Sequence, residues 1–215
     1  SAWCVDGSPS LGAPNDAYPE TGLACVKINA SNVIFDCNGY NITNDGTTGY
    51  TYGIVIRGTS SSPLTNVTVK NCPGVSQYTY GTELYYVNNS LVTNSTFHNN
   101  SDAGIHLQLG PNNTVINSTA YNNTDYGIIL MTCPNNTIIN STAYNNSIYG
   151  FYVYQSHNST ITNSVSYNNQ RGIELSQSDN LTLKNSTSFN NTVFGILFGD
   201  SNNTKLYGGH LFNNA

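Results

Sequence analysis

The sequence contains few charged residues and no long apolar run. Only 8% of its 215 residues are charged, six Lys or Arg against eleven Asp or Glu, which gives a formal net charge of −5. So little positive charge argues against nucleic acid and anionic membranes as partners. No run of about eighteen apolar residues is present, so we expect no membrane insertion. No signal peptide precedes Ser1, which a mature, already processed chain would explain.

Residue patterns that mark catalytic or metal sites are also scarce. The aspartates are scattered and no two are adjacent, whereas glycoside hydrolysis uses a close pair of carboxyl groups. The only arginines, Arg57 and Arg171, belong to no motif, and the histidines lack metal-ligand spacing. We therefore predict that the chain is not an enzyme and that it needs no metal or cofactor. The histidines are His98, His106, His157 and His210.

A column of regularly spaced glycines divides most of the chain into repeats of near-constant length. Each glycine begins a Gly-apolar-x-apolar segment, and short apolar alternation of period two is typical of β-strands. Such a repeat, with three short strands and polar corners, predicts an all-β parallel β-helix of about eight coils stacked about 4.8 Å apart. The glycines are Gly81, Gly104, Gly127, Gly150, Gly172 and Gly195.

Asparagines recur with the same period as the glycines. A primary amide carries two donors and two acceptor lone pairs, so stacked copies can form a hydrogen-bonded ladder through the interior. We predict such a ladder at Asn71, Asn94, Asn117, Asn140, Asn163 and Asn185. A second register holds Asn99, Asn122, Asn145, Asn168, Asn190 and Asn213.

The repeat N-x-x-I-x-N-S-x-A-x-N-N…Y-G-I-x-L, with an opening coil at 32–42, resembles the right-handed parallel β-helix repeat proteins. It is especially similar to their secreted or cell-surface members, which are common in archaea. The resemblance extends from about Cys25 to the end of the chain. It implies the fold and little about function, because the family includes polysaccharide lyases, glycosidases, accessory proteins and inert surface proteins.

The first 31 residues do not fit the repeat and contain closely spaced Pro and Gly. We interpret residues 1–31 as an irregular N-terminal cap and residues 32–215 as the β-helix. Among the possible cysteine pairings we prefer Cys4–Cys25 and Cys37–Cys72, which leaves Cys133 as a buried free thiol; four cysteines allow three connectivities. Disulfides favour an extracellular or cell-surface location.

Seventeen Asn-x-Ser/Thr sequons are present, eight of which coincide with the two asparagine registers. An inward-facing amide cannot carry a glycan, so we set those eight aside. Covalent glycans are predicted on the other nine. These are Asn29, Asn41, Asn66, Asn88, Asn112, Asn135, Asn158, Asn180 and Asn202.

The Gly-apolar strands also predict an outward face. Glu83 and Glu174 lie on it four coils apart, about 19 Å, too far for the roughly 5–9.5 Å of glycosidase carboxyls. We therefore reject catalysis by that pair. His106 and Gln108 point outward between apolar neighbours, and contiguous outward apolar residues usually mark a contact surface. This predicted contact face comprises Tyr85, Ile129, Met131, Tyr152, Tyr154 and Leu197.

Two functions from different classes follow. The first is an extracellular structural protein whose subunits associate head to tail into a filament or surface lattice, with possible lateral contacts, because the last coil stops before its Gly-apolar strand. The alternative is a carbohydrate-binding or carbohydrate-processing module that uses the outward face of the Gly-apolar strand. A third interpretation is that the chain is a fragment of a larger surface protein.

Overall fold

A computed structural model describes residues 2–4, through their backbone alone, and residues 23–215. The predicted fold is confirmed, because the described strands form parallel sheets that run the length of a solenoid. Strands are numbered β1 to β27 along the chain. No helix in the described part of the chain is long and apolar enough to cross a lipid bilayer.

The front sheet is formed by the Gly-apolar strands, with neighbouring strands in consecutive coils. Its strands are β2 (Leu23–Ile28), β5 (Thr51–Arg57), β9 (Tyr80–Tyr85), β13 (Ala103–Gln108), β16 (Tyr126–Met131), β19 (Tyr149–Tyr154), β22 (Arg171–Ser176) and β25 (Phe194–Gly199).

The side sheet contains the strands that follow the front corner of each coil. Its strands are β3 (Ile34–Asp36), β7 (Thr68–Lys70), β11 (Leu91–Thr93), β14 (Thr114–Ile116), β17 (Thr137–Ile139), β20 (Thr160–Thr162), β23 (Thr182–Lys184) and β26 (Lys205–Tyr207). A small additional sheet pairs β6 (Leu64–Thr65) with β10 (Val87–Asn88).

The rear sheet completes each coil. Its strands are β1 (Ala2–Cys4), β4 (Ile42–Asn44), β8 (Val75–Ser76), β12 (Thr96–His98), β15 (Thr119–Tyr121), β18 (Thr142–Tyr144), β21 (Val165–Tyr167), β24 (Thr187–Phe189) and β27 (His210–Phe212).

The number of regular coils is slightly lower than predicted. About six coils, those that start at the glycine column, follow the repeat, and irregular coils with longer loops precede them. Leu23–Ile28, which the sequence placed in the cap, pairs with β5 in the front sheet. Residues 5–22 of the predicted cap lie outside the described residues.

The interior is filled by stacked columns of mostly apolar side chains, two from the front sheet and one each from the side and rear sheets. In the front sheet Ile105, Ile128 and Phe151 are paired in register and have no exposed surface. Glycine begins each coil because the next coil passes so close: a Cβ on Gly127 would lie 2.6 Å from the carbonyl oxygen of Gly150. The repeated glycine therefore permits the spacing on which the stack depends.

A buried asparagine ladder is present. Each of its residues follows the corresponding asparagine of the second predicted register by one position. The side-chain amide of Asn123 donates to Asn146 over 3.0 Å, and that of Asn146 donates to Asn169 over 3.1 Å. The same oxygens accept backbone N–H groups from the preceding coil, at 3.1 and 2.9 Å. The column consists of Asn100, Asn123, Asn146, Asn169 and Asn191, all buried, and the half-buried Asn214.

The predicted interior placement of both asparagine registers is therefore wrong, although at the surface the side-chain amide of Asn117 donates to that of Asn94 over 3.3 Å. Asn71 is half-buried and the others are exposed corner residues, with backbone φ angles between 48° and 55°. Asparagine tolerates this left-handed conformation better than most residues, so it occupies the corner and the following residue enters the interior. After the first register that residue is serine: the N–H of Ser118 and of Ser141 donates to the next serine hydroxyl at 3.3 and 3.2 Å. The misplaced residues are Asn71, Asn94, Asn117, Asn140, Asn163 and Asn185, and Asn99, Asn122, Asn145, Asn168, Asn190 and Asn213.

This shift also removes the reason for setting eight sequons aside, because their asparagines do not face the interior. Of the nine predicted glycan sites, Asn88 is half-buried and the other eight are exposed. Occupancy of these sites stays a prediction.

One predicted disulfide is confirmed. Cys37 and Cys72 are bonded, with their Cα atoms 4.8 Å apart. Cys25 is also disulfide-bonded, whereas the side chain of its predicted partner, Cys4, lies outside the described residues. Cys133 is a buried free thiol, and burial raises its pKa to about 12, so it stays protonated and unreactive.

The rear sheet carries an aromatic column whose direction the sequence left open. The rings stack on its outer surface, with centroids 4.7–4.9 Å apart and planes within 8° of parallel. Each inner ring is covered on both faces by its neighbours, so within the column mainly ring edges are open to solvent, and the stack contributes to coil stacking. Its members are His98, Tyr121, Tyr144, Tyr167, Phe189 and Phe212.

We predict that the inner and outer asparagines differ sharply in their contribution to stability. Asn146→Ala removes the acceptor for the buried N–H of Asn123, and a buried orphaned donor costs about 1–3 kcal/mol. Urea denaturation should show at least this loss in the free energy of unfolding. Asn145→Gly, at the adjacent exposed corner, keeps the left-handed backbone and should change stability by no more than about 0.5 kcal/mol. Equal losses in the two variants would contradict the assignment of the ladder.

Candidate functional site

The front sheet has an outer surface, here called the front face, on which side chains alternate with those of the core. It presents three columns running along the solenoid axis. The first contains Tyr52, Tyr80, Ala103, Tyr126, Tyr149, Arg171 and Phe194. The second contains Lys27, Val55, Glu83, His106, Ile129, Tyr152, Glu174 and Leu197. The third contains Arg57, Tyr85, Gln108, Met131, Tyr154, Ser176 and Gly199.

Near the N-terminal end of the front face, ionisable side chains form a cluster centred on Glu83. The Arg57 guanidinium donates a hydrogen bond to the Glu83 carboxylate and another, of 3.2 Å, to the Tyr52 hydroxyl. The other carboxylate oxygen of Glu83 lies 3.5 Å from Nδ1 of His106. The Glu83 and His106 side chains are only 4% and 7% exposed, so the cluster is largely closed to solvent.

Asp102 lies at the more open edge of this cluster. It is half-buried and accepts a 3.0 Å hydrogen bond from the Tyr80 hydroxyl. The Tyr80 ring packs against the His106 imidazole, with centroids 5.2 Å apart, and so connects Asp102 to Glu83. Both ring nitrogens of His106 are buried without a hydrogen-bond partner.

Asp125 occupies the position of Asp102 one coil further along. Both aspartates precede the repeat glycine by two positions, and the N–H of Asp125 donates to the Asp102 carbonyl over 3.0 Å. Equivalent positions in adjacent coils are about 4.8 Å apart. Both carboxylates act on the Tyr126 hydroxyl, whose pKa is raised to about 12, chiefly by burial. The two aspartates therefore form a pair, which we call the aspartate pair.

The pKa values of Asp102 and Glu83 are shifted in opposite directions. Burial raises the pKa of Asp102; the Tyr80 hydrogen bond and His106 oppose that effect, the nearby Asp125 and Glu83 charges add to it, and the net shift is upward. Burial also acts to raise the pKa of Glu83, but His106 and Arg57 outweigh it and the net shift is downward. Asp102 is therefore the more readily protonated of these two carboxyls.

Next along the axis is a group of four tyrosines, which we call the tyrosine panel. Its members are Tyr126, Tyr149, Tyr152 and Tyr154, all half-buried. Successive ring centroids are 4.5–6.0 Å apart. Burial raises the pKa of Tyr152 to about 12, so its hydroxyl remains a hydrogen-bond donor and acceptor at ordinary pH.

A second ion pair lies beyond the tyrosine panel. One nitrogen of Arg171 donates to the Glu174 carboxylate and to the Tyr149 hydroxyl, both over 3.0 Å. The guanidinium carbon lies 5.2 Å from the Tyr149 ring centroid and 5.5 Å from that of Phe194. Glu83 and Glu174 therefore belong to separate ion pairs at opposite ends of the tyrosine panel, in agreement with the rejection of that pair as a catalytic unit.

The predicted contact face is only partly exposed. Ile129 and Tyr85 are 2% and 8% exposed, so the prediction of a contiguous exposed apolar surface is wrong at these two positions. Neighbouring front-face side chains such as Tyr52 and Tyr80 are large and pack over one another. Met131, Tyr152 and Tyr154 are half-buried and Leu197 is 38% exposed.

Sequence reasoning missed the aspartate pair and the roles of Arg57 and Tyr80. The signal was the recurrence of aspartate two positions before Gly104 and Gly127. Aspartates one full repeat apart look scattered along the chain, yet they become neighbours because each repeat closes one coil. Arg57 was missed because it precedes the regular repeat.

The family comparison agrees with this architecture. Residues 22–174 and 150–215 match the family described as the right handed beta helix region. The chain belongs to this family. No curated protein matches the sequence.

Solved structures with the same fold act on carbohydrates or occur on phage. A pectate lyase, Pel9A, superposes with a TM-score of 0.70 at 20% identity, over 88% of this chain and 56% of its own. Tailspike protein 2 from an Escherichia coli O157:H7 bacteriophage gives 0.66 at 19% identity, over 88% and 29%. The periplasmic alginate epimerase AlgG gives 0.58 at 18% identity, over 86% and 43%. The chain thus spans about half or less of these proteins.

These comparisons correct one prediction. The chain was expected not to be an enzyme because its sequence shows no catalytic constellation. That expectation is contradicted by structural neighbours that include a lyase, an epimerase and a tailspike domain described as enzymatically active. At such low sequence identities the likeness establishes the shared fold, and any activity of this chain has to be argued from its own residues.

The lowered pKa of Glu83 predicts how stability depends on pH. Its ionised form is favoured in the folded state, so its contribution is present above the ordinary value of 4.5 and is lost as pH falls through the lower folded value. Wild-type protein should therefore lose unfolding free energy more steeply below that pH than Glu83→Gln, whose amide does not titrate. Urea denaturation from about pH 7 to about pH 3 measures the difference. Parallel curves would show that Glu83 is not held in its ionised form.

Proposed function

We propose that this chain is a carbohydrate-processing β-helix protein that binds a glycan along its front face and cleaves a glycosidic bond at Asp102 and Asp125. The observation that carries the proposal is the aspartate pair beside the tyrosine panel on one face. Neighbours of this fold that act on polysaccharides support the substrate class. The filament hypothesis is less well supported, since exposed residues of the last coil would be covered equally well by further coils of the same chain.

The direction of the glycan follows from the strand order. Glu83 is on β9 and Tyr152 is on β19, three strands further along the sheet, so they are separated by about 14 Å along the axis. A chain that contacts both the aspartate pair and the tyrosine panel therefore lies parallel to the solenoid axis. Aromatic rings with polar tips suit the apolar faces and hydroxyl edges of sugars.

Asp102 is assigned as the general acid. Its raised pKa keeps a larger fraction protonated towards neutral pH, and it can give this proton to the glycosidic oxygen as the C–O bond breaks. Asp125, as carboxylate, attacks the anomeric carbon. Coil spacing puts the backbones of the two aspartates about 4.8 Å apart, close to the roughly 5–5.5 Å between the carboxyl groups of retaining enzymes. Water then hydrolyses the glycosyl–Asp125 ester, with Asp102 accepting its proton.

The remaining members of the Glu83 cluster act through Asp102 rather than on the glycan. Tyr80 holds the Asp102 carboxyl by a hydrogen bond, and the Tyr80 ring rests on His106. Beyond that ring, the Glu83 carboxylate pairs with Arg57 and lies 3.5 Å from Nδ1 of His106. Since the His106 nitrogens have almost no exposed surface, we assign them a positioning role.

We further propose an extracellular location. The Cys37–Cys72 disulfide supports it, as does the description of one structural neighbour as periplasmic. N-linked glycans on the exposed corner sequons are part of the same proposal, and mass spectrometry of the native protein would detect them.

Asp102→Asn and Asp125→Asn should each abolish most glycan cleavage, by about 10²–10⁴-fold for the acid, with little change in folding. The substitutions keep shape and remove the proton donor or the nucleophile. Reducing-sugar release from a polysaccharide panel measures the effect. Asp200→Asn, at an exposed corner that follows β25, is the matched control and should retain full activity. If both pair variants cleave like wild type, the assignment is wrong.

Tyr152→Ala and Tyr154→Ala should weaken glycan binding by at least about tenfold, roughly 1.4 kcal/mol, through loss of ring contacts. A glycan array followed by calorimetry on the best ligand measures this. Tyr40→Ala provides the control, because Tyr40 is 58% exposed and lies outside the front face. Unchanged binding in the two panel variants would place the glycan elsewhere.

A further inference from the structure

We infer that the glycan taken by the front face is uncharged, in contrast to the pectate and alginate named for two structural neighbours. This inference rests on the proposed function and concerns the same site. It follows from the positions of the few positively charged side chains on the face and from the groups that already pair with them.

Recognition of an acidic polysaccharide requires cations that are free to pair with its carboxylates, and arginine is the side chain best suited to that task. The front face contains both arginines of the sequence, Arg57 and Arg171. Each of them is already engaged by a glutamate of the same face.

Arg57 is enclosed from several sides. Its guanidinium bonds to Glu83 and to the Tyr52 hydroxyl, and its carbon lies 5.4 Å from the Tyr52 ring centroid and 5.1 Å from that of Tyr85. The side chain is 21% exposed. A glycan carboxylate would have to displace Glu83, which is 4% exposed and would then be a buried charge without its main partner.

Arg171 is held in the same way at the other end of the tyrosine panel. One nitrogen donates to both Glu174 and the Tyr149 hydroxyl, and the guanidinium sits against the rings of Tyr149 and Phe194. Its side chain is 34% exposed, whereas that of Glu174 is 9% exposed. Each glutamate thus neutralises the cation that could otherwise bind an acidic sugar.

The remaining charges of the face are unfavourable to a polyanion. Asp102 and Asp125 are half-buried and no salt bridge to either is found among the described side chains. Lys27, the other cation in the columns of this face, lies on β2, three strands before β13, about 14 Å along the axis. A uronic acid chain over the aspartate pair would meet the like charge of Asp125, and that of Asp102 wherever its carboxyl is ionised, without compensation.

The uncharged polar groups of the face that are available to a ligand suit sugar hydroxyls instead. Tyr152 and Tyr154 each combine an aromatic ring with a hydroxyl group. The exposed Gln155 and Gln177 directly follow third-column residues of their coils, and their amides are hydrogen-bonded to each other over 3.1 Å. Phenol and amide groups donate to and accept from neutral sugar hydroxyls without the need for charge. The face therefore discriminates by charge against acidic glycans and by uncharged hydrogen-bonding groups in favour of neutral ones.

The test compares polymers that differ only in charge: polygalacturonate against its carboxyl-reduced form, and alginate against carboxyl-reduced alginate, alongside a panel of neutral polysaccharides. Calorimetry at low and physiological salt should show neutral forms binding at least tenfold more tightly, with little salt dependence. Tighter binding of the acidic member of a pair, weakening as salt rises, would overturn the inference while leaving the proposed function intact. If no polymer binds and Asp102→Asn changes no activity, the proposed function has failed and the inference falls with it.

Glu174→Gln provides a second, independent arm. Removing the carboxylate frees Arg171, so affinity for the acidic polymers should rise at least tenfold and become salt-dependent. Glu174→Asp keeps the charge and should show no such gain. A thermal melt by circular dichroism verifies that both variants are folded. Folded Glu174→Gln protein with unchanged affinity for acidic polymers would show that the ion pair does not set the specificity.

Discussion

Hydrogen bonding between equivalent residues of consecutive coils is the constraint on which this structure depends. The sheet strands, the inner asparagine column and the serine column all connect one coil to the next at the same register. Because each residue contacts the equivalent residue of the next coil, an amino acid that stabilises this contact does so in every coil, and a destabilising one is repeated in the same way. This explains why a chain with 8% charged residues can stack into a solenoid: amides and hydroxyls satisfy the buried polar groups without ionic contacts.

The same constraint builds the candidate site. Asp102 and Asp125 are close in space only because both precede the repeat glycine by two positions. The tyrosine panel also arises from register, since Tyr126 and Tyr149 are partners in β16 and β19. The ion pairs of the candidate site are located where the repeat is broken. Charged residues replace apolar ones at second-column positions such as Glu83 and Glu174, and each has its own arginine partner.

The fold was largely predictable from periodicity, because the glycine column gives the coil length directly. The side chains' direction was less predictable. Asn99 and Asn100 are chemically identical, and only backbone conformation decides that the first turns outward at a φ of 54° while the second enters the core. Sequence alternation cannot distinguish members of an Asn-Asn pair. The aspartate pair was missed for another reason: residues were compared by their separation along the chain rather than by their position within the coil.

The near-identity of neighbouring coils has an evolutionary consequence. Asn112–Tyr121 and Asn135–Tyr144 read NNTVINSTAY and NNTIINSTAY, so unequal recombination could add or delete a whole coil while leaving every ladder continuous. For the candidate site, the position of the inserted coils along the solenoid then matters more than their number. An extra coil beyond Tyr154 lengthens the rod and leaves the site unchanged. An extra coil between Asp102 and Asp125 would double their separation to about 9.6 Å. Under the proposed function, the length of the rod is free to vary among descendants, whereas the junction of β13 with β16 is not.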